Sequence, residues 1–390
     1  MKTGAMMVRL VAVLALMAMA VGVIGGRGLG VARAQDANMT CAGEPALGAP
    51  SADAGTPMAD AGTPMADAAA TPMADAAASP AAGGEGGPNV AFLPKDVVNP
   101  YFGTAFQGAQ EANAELGGEV QQVGPQESSA AEQVTWVQTL TQQQVDAIAI
   151  SANDTNAPAQ ALKDAMAQGI AVVSYDSDVA PDARNIFVNQ ASSEDIGRIQ
   201  VQIMGRLLSC EGEIAILSAA STMTNQNTWI SFMEDELAKP GYENLTLVDT
   251  VYGDDNPQLS FDRTIELLTA YPDLQGIISP TTVGMTAAQE AIAQEGRSGE
   301  VQLTGLNLPS LARSAVEDGT VQEFALWKPA DLGYLAYYAA VALVNGEITG
   351  AEGDTFTAGR LGEYTVGANG EVLLGPPFIF NAENIGEFDF

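Results

Sequence analysis

Between residues 89 and 178, short apolar runs alternate with amphipathic stretches, and this alternation restricts the fold more than any other feature of the chain. The first run is Asn89-Val90-Ala91-Phe92-Leu93-Pro94-Lys95, and the second is Val120-Gln121-Gln122-Val123. The third spans residues 146–154 and ends in Asn153-Asp154; the fourth, residues 170–178, contains Ser174-Tyr175-Asp176-Ser177-Asp178. Between them, Phe102, Phe106, Ala109, Ala112 and Leu116 share one face of a helix predicted over residues 101–116. Gly117-Gly118 stops that helix. Further helices are predicted over residues 132–144 and 158–169, the latter opened by Pro158 and closed by Gly169. Strand, helix, strand in this rhythm specifies a parallel sheet with crossover helices. Such sheets bind ligands beyond the carboxyl ends of their strands. Three of the runs end there in polar groups: Lys95, Asn153-Asp154 and Asp176.

A second series follows an extended segment at residues 185–190. Its strands are predicted at residues 214–217, 245–251, 276–279 and 301–306, and its helices start near Asn225, Pro257, Met285 and Ser310. Residues 323–327 form another extended run before an apolar helix over residues 331–345. The 390 residues accommodate two such α/β bodies plus extensions. The remaining tail is expected to cover one of them.

The N-terminus addresses the compartment. Lys2 and Arg9 precede an uncharged, mostly apolar run over residues 10–26, and Ala32-Arg33-Ala34 offers a small-x-small cleavage site. Residues 1–34 are read as a secretory signal peptide, with a retained anchor as the alternative. Residues 35–88 are Ala, Asp, Thr, Pro and Met in near-repeats: residues 53–59 recur at 60–66 and, with one extra Ala, at 67–74. No large apolar residue recurs, so this stretch is expected to be a disordered linker. Only two cysteines occur, Cys41 and Cys210. Outside the cytoplasm they are free to pair, but two isolated cysteines leave pairing open. Asn38-Met39-Thr40 is a poor match to a lipidation site at Cys41.

Composition excludes several functions. A formal charge of −33 opposes binding to nucleic acid or anionic lipid. With no histidine, Ser-His triads and most zinc sites are ruled out. The turn after the first strand, Pro94-Lys95-Asp96-Val97-Val98-Asn99-Pro100, carries no glycine, which excludes a dinucleotide fingerprint. Asp176 and Asp178 offer two carboxylates for glycoside hydrolysis, which uses two acids, but they are not expected to converge. A secreted carbohydrate-active enzyme is thereby the weaker reading. A repressor with a similar body would need a basic helix-turn-helix, where this chain has an acidic stretch.

From residue 89 onward the chain resembles the extracytoplasmic sugar-binding proteins of ABC importers, of the ribose-binding type. The likeness is greatest to the branch of rhamnose-binding proteins and autoinducer-2 receptors. It rests on Phe92-Leu93-Pro94-Lys95 with Asn99-Pro100-Tyr101-Phe102, on residues 174–178, and on Thr224-Asn225-Gln226-Asn227-Thr228-Trp229. Pro280-Thr281-Thr282-Val283-Gly284, Glu323-Phe324-Ala325-Leu326-Trp327 and residues 380–386 complete the set. The resemblance implies a type I periplasmic-binding-protein fold: two doubly wound parallel-sheet lobes joined by a three-segment hinge. On this chain the lobes become residues 89–189 plus 326–352 and residues 190–325 plus 353–390. It also implies a monosaccharide ligand without cofactor or metal, a permease partner in the cytoplasmic membrane, a monomer, and no catalysis. Autoinducer-2 receptors of this type show Asp-Gln and Pro-Asp-Ala where this chain has Asn225-Gln226 and Pro280-Thr281-Thr282. Rhamnose-type members look like this chain at both places, so rhamnose or a similar deoxyhexose or pentose is the first expectation and autoinducer-2 the second.

A sugar presents hydroxyls and weakly apolar C–H faces, so its binder needs carboxylates, amides and aromatic platforms. Asp176 is expected to accept hydroxyl protons, the alternative being a helix cap. Lys95 would donate to a sugar oxygen or pair with Asp176. Asn225 and Gln226 suit a neutral polyol, or cap the helix that follows. Tyr101 or Phe102 would stack on the apolar face, or belong to the helix core. Trp327 would wall the cleft at the hinge. Asn153, Asp154, Pro280, Thr282 and Asn307, all at strand ends, complete the candidates, with capping the competing role for Thr282.

Overall fold

A computed structural model describes residues 39–47 and 87–390. The signal-peptide expectation and most of the linker expectation lie outside the described residues. Among the described residues, no helix is long and apolar enough to cross a membrane.

The first lobe begins with β1 (Asn89–Leu93), α1 (Pro100–Leu116), β2 (Glu119–Gln122), α2 (Ala130–Gln143) and β3 (Ala147–Ile150). It continues through α3 (Ala159–Met166), β4 (Ala171–Tyr175) and β5 (Ile186–Asn189). The chain then enters the second lobe with α4 (Ser193–Leu207), β6 (Glu211–Ser218), α5 (Thr224–Leu237) and β7 (Asn244–Tyr252). Next come α6 (Pro257–Ala270), β8 (Leu274–Ser279), α7 (Thr282–Gln294), β9 (Gln302–Gly305), α8 (Pro309–Glu317) and β10 (Glu323–Leu326). After Trp327 it returns to the first lobe as α9 (Pro329–Val344), followed by β11 (Thr355–Thr357), β12 (Glu363–Thr365) and β13 (Glu371–Leu373). Finally, β14 (Phe378–Asn381) pairs antiparallel with β10.

Both sheets are wound alike. The first has the order β13-β5-β4-β3-β1-β2, with every pairing parallel. The second has the order β7-β6-β8-β9, also parallel. In each, the direction of winding reverses beside the first strand, between β1 and β3 and between β6 and β8. These reversals open crevices at the carboxyl strand ends.

Strand alternation builds the layers. Val90 and Phe92 of β1 join one core, with α1 and α9, while Ala91 and Leu93 join the other, with α2 and α3. α1 and α9 approach closely because glycines face backbone. A Cβ on Gly108 would lie 1.7 Å from the Ala330 carbonyl oxygen, and one on Gly333 1.7 Å from that of Ala105.

Two expectations are corrected. Residues 353–390 do not all belong to the second lobe: β13 extends the first sheet beside β5, with Val372 buried, and the chain crosses only after it. The backbone edge of β5 needs a partner, and this short return strand supplies it. Nor are residues 39–47 a disordered linker. Cys41 is disulfide-bonded to Cys210. The Leu47 amide donates to Gln202 Oε1 at 2.9 Å, and Glu44 pairs with Lys239 at 2.7 Å, all on the second lobe.

Candidate functional site

The two switch-point crevices face one another across a cavity. From the first lobe it is lined by Lys95, Asn99, Tyr101, Phe102 and Asp176. From the second it is lined by Asn225, Gln226, Trp229, Asp255, Pro280, Thr281, Thr282 and Leu306, with Leu326 and Trp327 at the crossing.

Asp176 anchors the first wall. Its backbone turns sharply at the end of β4, with φ of 60°, a left-handed conformation that aspartate tolerates better than most residues. Tyr101 donates to its Oδ1 at 3.1 Å, Ser151 donates to Oδ2 at 2.8 Å, and Lys95 Nζ lies 3.4 Å from Oδ2. Burial beside this carboxylate raises the Tyr101 hydroxyl well above its ordinary range, so it stays protonated and keeps donating. Trp327 Nε1 donates in turn to the Tyr101 oxygen at 2.9 Å.

Lys95 bridges the lobes. Besides Asp176, its ammonium reaches Asn225 Oδ1 at 3.2 Å. A second cross-lobe bond joins the hydroxyls of Thr155 and Thr224 at 2.7 Å. The aromatic rings also run from lobe to lobe: Phe102 to Tyr101 at 5.1 Å, Tyr101 to Trp327 at 6.1 Å and Trp327 to Trp229 at 6.1 Å, all edge to face.

The second wall is assembled differently. Gln226 Oε1 accepts from Ser218 Oγ at 2.7 Å and from the Ala219 amide at 2.9 Å, tying α5 to the end of β6. Thr281 precedes α7 but does not cap it; its hydroxyl donates to Asp255 instead. α5 likewise has no side-chain cap. Two helices without side-chain caps thus direct electropositive ends at the cavity, with Asp176 on the facing wall. Burial pushes the Asp255 carboxyl up to about 6, with Asp96 and Asp176 adding to the rise and Thr281 and Lys95 opposing it.

Nine expected residues therefore converge: Lys95, Tyr101, Phe102, Asp176, Asn225, Gln226, Pro280, Thr282 and Trp327. Asn153, Asp154 and Asn307 do not line the cavity. Asn153 donates to the Lys95 carbonyl at 2.8 Å and so steadies the turn that presents the lysine. Asp154 accepts from the Asn156 and Ala157 amides, each at 2.8 Å, closing its own turn. Asn307 accepts from the Leu308 amide at 2.8 Å. Asp178 is likewise held by Arg184 at 2.6 Å, so it forms no carboxylate pair with Asp176. Sequence reasoning did not reach Asn99, Trp229, Asp255, Thr281, Leu306 and Leu326. A signal existed for Trp229, which follows Asn225 by four residues and shares its face of α5.

Two wound lobes, three chain crossings and a polar, aromatic-lined cavity between them define a hinged ligand-binding protein. The family described as periplasmic binding protein domain matches residues 90–348, and the chain belongs to it. A sugar ABC transporter protein from Actinomyces odontolyticus is 44% identical, with 77% of this chain and 97% of that one covered and a TM-score of 0.64. An ABC transporter solute-binding protein from Clostridium phytofermentas, with bound L-rhamnose, is 38% identical, covering 78% and 98% with a TM-score of 0.75. LsrB from Clostridium saccharobutylicum, in complex with AI-2, is 27% identical, covering 77% and 99% with a TM-score of 0.74. The chain is a solute-binding protein of the sugar ABC-transporter type, a family of binding proteins rather than enzymes.

Proposed function

We propose that this protein captures a neutral monosaccharide, rhamnose or a similar deoxyhexose or pentose, between its lobes and delivers it to a membrane permease. The observation that carries the reading is the Lys95–Asp176–Tyr101 group facing the Asn225–Gln226 pair within an aromatic-lined cavity. Carboxylate and ammonium side by side serve a hydroxyl's two roles, as acceptor and donor. Phe102, Trp327 and Leu326 offer apolar surface to C–H faces or a methyl group. The likeness to a rhamnose-bound protein at 38% identity supports the choice of sugar. Closure is a hinge motion about the crossings after β5, β10 and β13, and the ligand leaves chemically unchanged. The disulfide supports an oxidising compartment outside the cytoplasm.

A thermal-shift screen tests this with L-rhamnose, D-arabinose, D-ribose, D-glucose and AI-2. L-rhamnose should raise the melting temperature in a concentration-dependent way. A shift with AI-2 alone would move the protein to the signal-uptake class, and no shift with any member would remove the sugar-capture reading.

A further inference from the structure

Two residues that line the cavity carry a donor that the described residues leave unused. Asn225 Nδ2 and Trp229 Nε1 are both buried and have no hydrogen-bond partner. Neither is open to reassignment. Asn225 Oδ1 accepts from Lys95 Nζ and from the Gln226 amide, so flipping the side-chain amide would set its NH2 against an ammonium and an N–H. An indole nitrogen is a donor only. Trp229 is 3% exposed, and its ring meets the Trp327 ring edge to face. The two residues stand one turn apart on α5, which places both donors along one stripe of the second wall.

Buried donors are paired in folded proteins, and exceptions call for an explanation. Several neighbours of Trp229 on this wall are already engaged: Gln226 holds Ser218, Thr281 holds Asp255, and Asn225 Oδ1 holds Lys95. A purely structural tryptophan would turn its N–H toward a backbone carbonyl or solvent.

We propose that Trp229 is a ligand-binding residue whose indole N–H, together with Asn225 Nδ2, donates to an oxygen of the captured sugar. The inference rests on the sugar-capture reading and sharpens it. The ligand must present an oxygen acceptor, a ring or hydroxyl oxygen, to α5, while Asp255 on the same wall takes a hydroxyl donor. With Asp176 and Asp255 both lining the cavity against the single ammonium of Lys95, an anionic sugar is disfavoured there.

The test uses the full chain and titration calorimetry with L-rhamnose, then D-arabinose, D-ribose and AI-2. Trp229→Phe keeps an aromatic ring and removes the donor, and should weaken binding of the sugar that binds about tenfold. A second measurement does not depend on the variant folding. The chain has 3 tryptophans. Their indole N–H signals in the 15N-labelled wild type are assigned with Trp136→Phe and Trp327→Phe. Saturating sugar should move the Trp229 signal downfield and slow its exchange with solvent. Unchanged affinity in Trp229→Phe, or an indole signal unmoved by a sugar that binds, would overturn the inference and leave sugar capture standing. A panel in which no member binds the wild type would overturn both.

Discussion

The two walls of the cleft are built to different degrees of completion. On the first lobe, Asp176 is engaged by Tyr101, Ser151 and Lys95, and Tyr101 is itself held by Trp327. On the second, Asn225 Nδ2 and Trp229 Nε1 are unpaired, and Asp255 holds only the Thr281 hydroxyl among the described residues. The first wall is thus preorganised, and its groups need no rearrangement to meet a ligand. The second is left short of partners, so a sugar that supplies them is gripped when the lobes close. Affinity should therefore depend on the first wall for geometry and on the second for the energy of closure.

The largest test breaks the first wall. Asp176→Ala strands Lys95, Tyr101 and Ser151 in a buried site, and should cost at least ~2 kcal/mol of sugar binding by calorimetry. Affinity unchanged by that substitution would remove Asp176 from the site. A comparable loss of stability, with no loss of binding, is expected when Cys41 and Cys210 are both replaced by serine. The crosslink lies on the flank of the second lobe away from the cavity residues, and opening it should lower stability by about 2–4 kcal/mol in a denaturant titration.

The next test sharpens the contrast through pH. Asp255 has its carboxyl raised to about 6 by burial, against an ordinary value of 3.8. Between those two values the unfolded chain has released the proton that the folded chain retains. The empty protein therefore loses stability as pH rises from about 4 through about 6, and the full penalty stands above that. A sugar hydroxyl donating to the ionised carboxylate offsets it. Binding should accordingly weaken about tenfold from pH 7.5 to pH 5 and release a proton near pH 6. Asp255→Asn should flatten the profile, and a profile equally steep in that variant would assign the titration elsewhere. The smallest expected effect is from deleting residues 60–66, one copy of the repeat, which should leave melting temperature and affinity within experimental error.

How much of this could be read from the sequence varies with the physical role of each residue. Parallel winding follows from apolar runs alternating with amphipathic ones, and β1, β3 and β4 lie where those runs are. Lys95, Asp176 and Asn225 sit at carboxyl strand ends or first helical turns, and all three line the cavity. Asn153, Asp154 and Asn307 share that position along the chain, yet each has a neighbouring backbone group within reach and satisfies it. Nothing in the order of residues separates these outcomes, because a short polar side chain serves a turn as readily as a ligand. Asp255 was hidden for the converse reason: Gly253-Asp254-Asp255-Asn256-Pro257 reads as a turn, and only folding brings Thr281 and the cavity beside it. Trp229 resembles a core residue of α5 until the absence of a partner for its nitrogen is seen. The placement of β13 depends on a pairing between residues 371–373 and 187–189, too distant and too short to leave a pattern.

The stitching of residues 39–47 to the second lobe has a mechanical consequence. Cys41 is bonded to Cys210, and Glu44 reaches Lys239, which also holds the buried Glu236. A pull on the chain ahead of residue 39 would therefore be passed to the second lobe before the hinge strands. A leash attached at that end would moor one jaw and leave the other free to swing.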